Sequence, residues 1–128
     1  MAFVIGCLMA GLSFLLNKLL LKYIGVKVVI SYSPVVEELS KTLCSYYLSA
    51  DILVTHIVFG VLEAIYDWLH QQNEQRGTIA ALLSIVGHTL FGGITVLVFN
   101  LSNSIYIGVV AAIVVHVLWN VTLIRLSN

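Results

Sequence analysis

Apolar side chains run through this sequence in stretches of about 18 to 23 residues, the length a helix rising about 1.5 Å per residue needs to cross about 30 Å of hydrocarbon. Inside a bilayer every backbone donor and acceptor must be satisfied without water, which leaves only helices or a closed barrel. A barrel would show alternating segments of about 10 residues, and none is present. Five helices are expected instead, over about 2–23, 33–49, 51–70, 78–99 and 104–126, forming one all-α polytopic transmembrane bundle across residues 1–128. Composition agrees: 60% of the residues are apolar, 9% are charged and there is one proline, far too greasy for a soluble domain of this size.

The same composition excludes other classes. Net charge is zero, so there is no basic footprint for nucleic acid. Cys7 and Cys44 lie in apolar segments and match no metal or redox spacing, so they read as small buried hydrophobes. The first apolar run starts at Ala2 without a basic segment before it, which reads as a retained helix and not a cleaved signal peptide.

Polar breaks set the expected boundaries. Ser31-Tyr32-Ser33-Pro34 should open the second and shortest helix, with Ser33 capping free backbone donors and Pro34 in the first turn. Leu48-Ser49-Ala50-Asp51 reads as a tight turn, Gln71 to Gly77 as the clearest loop, and Asn100 to Ser104 as a neutral turn. If the amino terminus faces out, Lys18, Lys22, Lys27, Arg76 and Arg125 all fall on the cytoplasmic side and only Lys41, within a helix, is unassigned. That satisfies the positive-inside rule. The expectation is amino terminus out and carboxyl terminus in, for an integral protein of the cytoplasmic membrane in contact with its lipid.

Ionisable side chains within these helices are the next constraint, because each costs on the order of 2.5 to 3.5 kcal/mol near the bilayer centre and so tends to face the bundle interior and serve function. The second helix carries Glu37, Glu38 and Lys41, the third His56, Glu63 and Asp67, the fourth His88, and the fifth His116 and Asn120. Measured from the inner surface, the rise per residue puts Glu37 roughly 6 Å deep, Asp67 roughly 5 Å, Asn120 roughly 9 Å, Glu63 roughly 10 Å, and His88 and His116 roughly 15 Å. This group shares the inner half of the bilayer. His56 falls nearer the outer side and is set apart from it.

Spacings of three and four place Gly108, Ala112, His116 and Asn120 on one stripe, and Ser84, His88, Gly92 and Thr95 on another. Gly60, Glu63 and Asp67 form a third stripe, and Pro34, Glu37, Lys41 and Cys44 a fourth. Small residues mark where membrane helices approach, so these polar side chains should point inward. Two carboxylates and two imidazoles converging there can bind a metal, or activate water and stabilise an oxyanion. Hydrolysis is the economical reading. Lys41, one turn from Glu37, reads either as its structural ion-pair partner or as the charge that keeps a neighbouring carboxylate ionised. Glu38, on a different stripe, reads as a structural acid. Asp67 reads equally as a helix-end residue, and Tyr66, Trp68 and Trp119 as an aromatic belt.

At this point the residues resemble a known pattern. Pro34-Val35-Val36-Glu37-Glu38-Leu39-Ser40-Lys41 resembles the double-glutamate motif of PrsW-type intramembrane proteases, within the superfamily of CAAX-processing and bacteriocin-processing membrane enzymes. Phe59 to Tyr66, Gly87-His88-Thr89-Leu90-Phe91-Gly92 and His116-Val117-Leu118-Trp119-Asn120 resemble its later motifs in the same order. The resemblance implies an intramembrane endopeptidase acting on a membrane-protein or peptide substrate from the cytoplasmic half of the bilayer. It would assign Glu37 to activate water, Glu63 and His88 to assist or ligate, His116 with Asn120 to polarise the scissile carbonyl, and Glu38, Lys41 and Asp67 to support. The family includes metal-dependent and metal-free glutamate chemistries, and both stay open; a divalent metal such as zinc would take Glu63, His88 and His116. Thr42 stands where the CAAX branch has Arg, and Glu63 where it has His, which favours the PrsW branch. The chain is shorter than typical members, so the resemblance implies that part of the substrate gate is missing or supplied by an additional membrane subunit. Two other functions compete: a non-catalytic scaffold subunit sharing the protease fold, and a small transporter or proton relay, the latter disfavoured because no inverted repeat is visible.

Overall fold

Gly25 separates the first two helices at φ +90°, a backbone conformation that only a residue without Cβ adopts at no cost. Around it and three further breaks the chain folds as α1 (Ala2–Tyr23), α2 (Val26–Tyr47), α3 (Ile52–His70), α4 (Glu74–Ser102) and α5 (Ile105–Ser127). The computed structural model describes the backbone of residues 1–127 and the side chains of 1–25 and 30–126. The Lys27 side chain, which entered the orientation argument, lies outside the described residues.

Helix starts follow local capping. Asp51 accepts a hydrogen bond from the Val54 amide at 2.9 Å and opens α3, and Asn73 accepts from the Arg76 amide at 3.1 Å and opens α4. With Glu74 in that first turn, where the helix dipole favours an acid, most of the expected polar loop becomes helix, and α4 begins at Glu74 and not near 78. α4 ends on Asn103, in the left-handed conformation.

α2 departs most from expectation. It starts at Val26, so Ser33 and Pro34 lie inside it and not at its amino-terminal cap. Pro34 removes one backbone donor within the helix. In a buried setting such a break is tolerated where neighbouring groups take up the freed polarity, and Pro34 is buried.

α1, α3, α4 and α5 are each long and apolar enough to cross a membrane. α2 is equally long, but it carries Glu37, Glu38 and Lys41, all buried. Its outward face presents Tyr32, Val36, Leu39 and Tyr46. The whole molecule repeats this inversion. Ser13, Thr42, Thr55, His56, His88 and Thr95 are buried, while Leu8, Leu15, Leu82, Leu97, Val110 and Leu118 are exposed. In water that distribution would strand apolar surface far beyond what monomers expose; in lipid it is the low-energy arrangement, and the chain is a membrane protein.

α1 packs on α2 and α3, α3 on α4, α4 on α5, and α5 returns to α2, closing a ring. Small residues set the close approaches. A Cβ on Gly60 would lie 2.8 Å from the Cβ of His88, one on Gly92 would lie 2.7 Å from the Cβ of His56, and one on Gly108 would lie 2.7 Å from the Thr95 carbonyl oxygen. At one end Ile52, Ile105 and Val109 form an apolar core with Leu43, Val96, Phe99 and Ile113 around it. The other end, where Lys18, Lys22, Arg76 and Arg125 gather, holds a cavity.

Candidate active site

The cavity has a volume of about 880 Å³ and draws side chains from all five helices. One side is polar, with Asn17, Ser33, Glu37, Glu63 and Asp67 from α1 to α3. The α4 and α5 side is largely apolar, including Ile79, Leu83, Trp119 and Leu123. His88 and His116 line it on α4 and α5, and His88 lies about 18 Å along α4 from Arg76, another lining residue, taking about 1.5 Å per residue.

Glu37 is held by its neighbours on one side only. Its Oε1 accepts hydrogen bonds from Ser13 Oγ at 2.7 Å and Asn17 Nδ2 at 3.3 Å, and Ser33 Oγ lies at 2.7 Å, also beside the Asn17 amide oxygen. Donors aimed at a carboxylate compensate for its removal from water. Oε2 has no protein partner among the described residues, yet no buried side-chain oxygen or nitrogen lacks one, so Oε2 borders open space.

Glu38 is the hub of the dry side. Its Oε1 meets Lys41 Nζ at 2.7 Å and His116 Nδ1 at 2.9 Å, and its Oε2 meets His56 Nε2 at 3.0 Å. Lys41 uses its remaining donors on His88 Nδ1, at 2.9 Å, and against the Phe59 ring, 4.4 Å from the centroid. His88 Nε2 in turn donates to Glu63 Oε2. Asp67 accepts from Ser84 Oγ at 2.7 Å and lines the cavity. Asn120, one turn after His116, lines it as well.

The structure therefore brings Glu37, Glu63, His88, His116, Asn120 and Asp67 to one cavity and corrects several pairings. Lys41 pairs with Glu38 and not with Glu37, because Glu37 is turned to Ser13 and Asn17 of α1 while Glu38 and Lys41 meet His56 and Phe59 of α3, His88 of α4 and His116 of α5. His56 is not apart from the site; it bonds Glu38 directly. Depth alone sets it apart, but it sits four residues before Gly60 on the Glu63 stripe. Ser13 and Asn17 lie outside the expected site residues, and their one-turn spacing in the mostly apolar first helix is the available signal.

The carboxylate that converges with the two imidazoles also differs. An oxygen of Glu37 and ring nitrogens of His88 and His116 all lie within 4.8 Å of one another, whereas Glu63 occupies the far nitrogen of His88. Both His88 nitrogens are thus engaged, one by a buried ammonium 2.9 Å away. A divalent ion would need a free lone pair on His88 and would face that ammonium at close range, so these residues do not fit a resident zinc. His116 differs from His88. Its Nδ1 faces Glu38 and its ring stacks on Phe91 at 4.3 Å. Its Nε2 has no protein partner among the described residues and, by the same reasoning as Glu37 Oε2, opens to the cavity.

Taken together, Glu37 Oε2 and His116 Nε2 are without protein partners among the described residues beside a half-polar cavity, in a cluster whose ligand atoms come within 4.8 Å of one another, with the Asn120 amide one turn after His116. No family model, curated protein or solved structure matches this chain.

Proposed function

We propose that this protein is an intramembrane endopeptidase that hydrolyses a peptide bond of a membrane-associated substrate without a metal, from the cytoplasmic side of the cytoplasmic membrane. The observation that carries this reading is the convergence of Glu37, His88 and His116 within 4.8 Å beside a cavity whose other wall is apolar. Water placed there would hydrogen-bond to Glu37 Oε2, whose carboxyl group is oriented by the donors on Oε1. The Asn120 amide can donate to the carbonyl oxygen as it gains charge. His88, tied to Lys41 and Glu63, lines the cavity and does not share the water. The apolar α4 and α5 wall suits a substrate that is itself lipid-soluble. The resemblance to PrsW-type proteases and the gathering of basic residues at the cavity end support the same reading and orientation.

Proteoliposomes incubated with a pool of synthetic transmembrane peptides in ¹⁸O-water provide the test. Hydrolysis places ¹⁸O in each new carboxyl group, read by mass spectrometry. Glu37→Gln should reduce incorporation on the order of 10²-fold or more, while the protein remains inserted and helical. A scaffold is the second reading, favoured by the closed Lys41, His88 and Glu63 chain. It predicts no incorporation by the wild type, and undisturbed assembly in Glu37→Gln.

A further inference from the structure

We infer that Glu38, anchored by Lys41 and His56, holds His116 as the tautomer protonated on Nδ1, so that Nε2 is the proton acceptor of the proposed hydrolysis. This inference rests on the hydrolase reading for its chemistry but not for its geometry. It gives His116 a role opposite to that of a donor polarising the carbonyl, and it makes Glu38 and His56 positioning residues.

Proton positions follow from the partners. Lys41 Nζ is a donor only, so the lone pairs of Glu38 Oε1 that remain face His116 Nδ1, which must carry its hydrogen to satisfy a carboxylate at 2.9 Å. His56 Nδ1 lies 2.8 Å from the Ile52 carbonyl oxygen, which can only accept, so Nδ1 carries a hydrogen there too. A single proton then joins His56 Nε2 and Glu38 Oε2 at 3.0 Å. Thr42 Oγ1 stands 3.4 Å from the same nitrogen, and Gly92 packs against the ring. Glu38 and Lys41 are wholly buried, and with Oε1 meeting both Lys41 and His116 and Oε2 meeting His56 the carboxylate is held on Nδ1. The neutral ring has one remaining lone pair, on Nε2, and that nitrogen faces the cavity.

The step balances. A water O–H bond breaks and its proton goes to His116 Nε2, while the water oxygen bonds to the carbonyl carbon and the C=O π pair moves onto its oxygen. Glu37 Oε2 accepts the water's other hydrogen as a hydrogen bond. Collapse re-forms C=O, the C–N bond breaks, and the proton on Nε2 passes to the leaving nitrogen. The products are an amine and a carboxylic acid, and His116 returns to its starting tautomer. While His116 is charged, Glu38 lies against it on the opposite nitrogen, the arrangement by which a buried carboxylate orients and stabilises a catalytic imidazolium.

¹⁵N spectra of histidine-labelled protein in nanodiscs test this, with His116→Gln assigning the signals. The expected result is a pyridine-type Nε2 and a pyrrole-type Nδ1 in the wild type; a pyrrole-type Nε2 would overturn the inference whether or not the protein hydrolyses anything. Glu38→Leu with Lys41→Met removes the acceptor from Nδ1 together with the buried charge it balances, so the fixed tautomer should be lost, both nitrogens should take mixed pyrrole and pyridine character, and ¹⁸O incorporation should fall on the order of 10³–10⁴-fold, the scale of a wrong-tautomer imidazole. Replacing both charges by apolar side chains keeps this variant foldable; Glu38→Gln is the control, since its amide oxygen can stand in for Oε1 between Lys41 and His116 while its NH2 donates to His56 Nε2, and it should keep the wild-type tautomer. An unchanged tautomer in the folded double variant would remove Glu38 from this role. A pyridine-type Nε2 without any hydrolysis leaves the tautomer assignment standing and sinks the hydrolase reading instead.

Discussion

Lys41 illustrates how a single side chain can organise a membrane interior. Its ammonium is fully buried, yet Glu38, His88 and the Phe59 ring meet its donors, so it carries no unpaired proton into the dry region. Removing it should be costly, because Glu38 would stay buried with its strongest partner gone. Lys41→Met alone is expected to destabilise the fold by about 3–5 kcal/mol, the range for breaking a buried ion pair, measured by denaturant titration in mixed micelles. The Glu38→Gln and Lys41→Met double variant should lose less than the sum of the singles, since apolar or neutral replacement of a whole buried pair is often tolerated. Simple additivity would show that the two do not act as a pair. Ser13 offers a contrast. Ser13→Ala deletes one of the hydrogen bonds on Glu37 Oε1 and should cost about 1.5–3 kcal/mol, the range for bonds to a charged group, in the same titration.

Among the elements, the site depends on how closely α3, α4 and α5 approach. Gly92 touches His56 and Gly60 touches His88, so the backbones meet at the two histidines that flank the Lys41 and Glu38 pair. Gly92→Val should force α3 and α4 apart, at about 1–3 kcal/mol for overpacking, and should shift the His56 ring signals before those of Glu63. Gly108→Leu meets the Thr95 carbonyl, which cannot yield as a flexible side chain can, and is expected to prevent a stable bundle from being recovered after detergent extraction. Normal recovery of that variant would mean that α4 and α5 are held chiefly by the apolar core around Ile105 and Val109 and by Phe91 stacked on His116. α2 carries polarity that the other helices do not, and Pro34 within it leaves a backbone acceptor without its helical donor near the cavity wall.

For the whole molecule, orientation decides which compartment the cavity meets. In a background with Cys7→Ala and Cys44→Ala, Gln72→Cys should react with a membrane-impermeant maleimide only from the cytoplasmic face. Leu101→Cys, beside the opposite turn, should react only from outside. Reversed labelling would place the cavity on the outer side and remove the cytoplasmic substrate from the proposal.

Much of this architecture is written in one dimension. The run lengths and rare charges of the sequence determine a five-helix membrane bundle, and the spacing of three and four already puts Glu63, His88, His116 and Asn120 on inward stripes, because period and burial are local properties of a helix. Caps were partly legible: Asp51 opens α3 where its turn was expected, but Asn73 extended α4 through residues that read as loop, and Gly25 started α2 ahead of a proline that looked like a beginning. Pairing was not legible. Which carboxylate takes Lys41, which meets His116, and whether His56 belongs to the site are settled by distances between helices, and those depend on how the bare backbone at Gly60, Gly92 and Gly108 lets the helices approach. Sequence fixes the face a residue occupies; only the packed bundle fixes what that face meets, because hydrogen bonds in a dry interior are made or lost over a few tenths of an ångström.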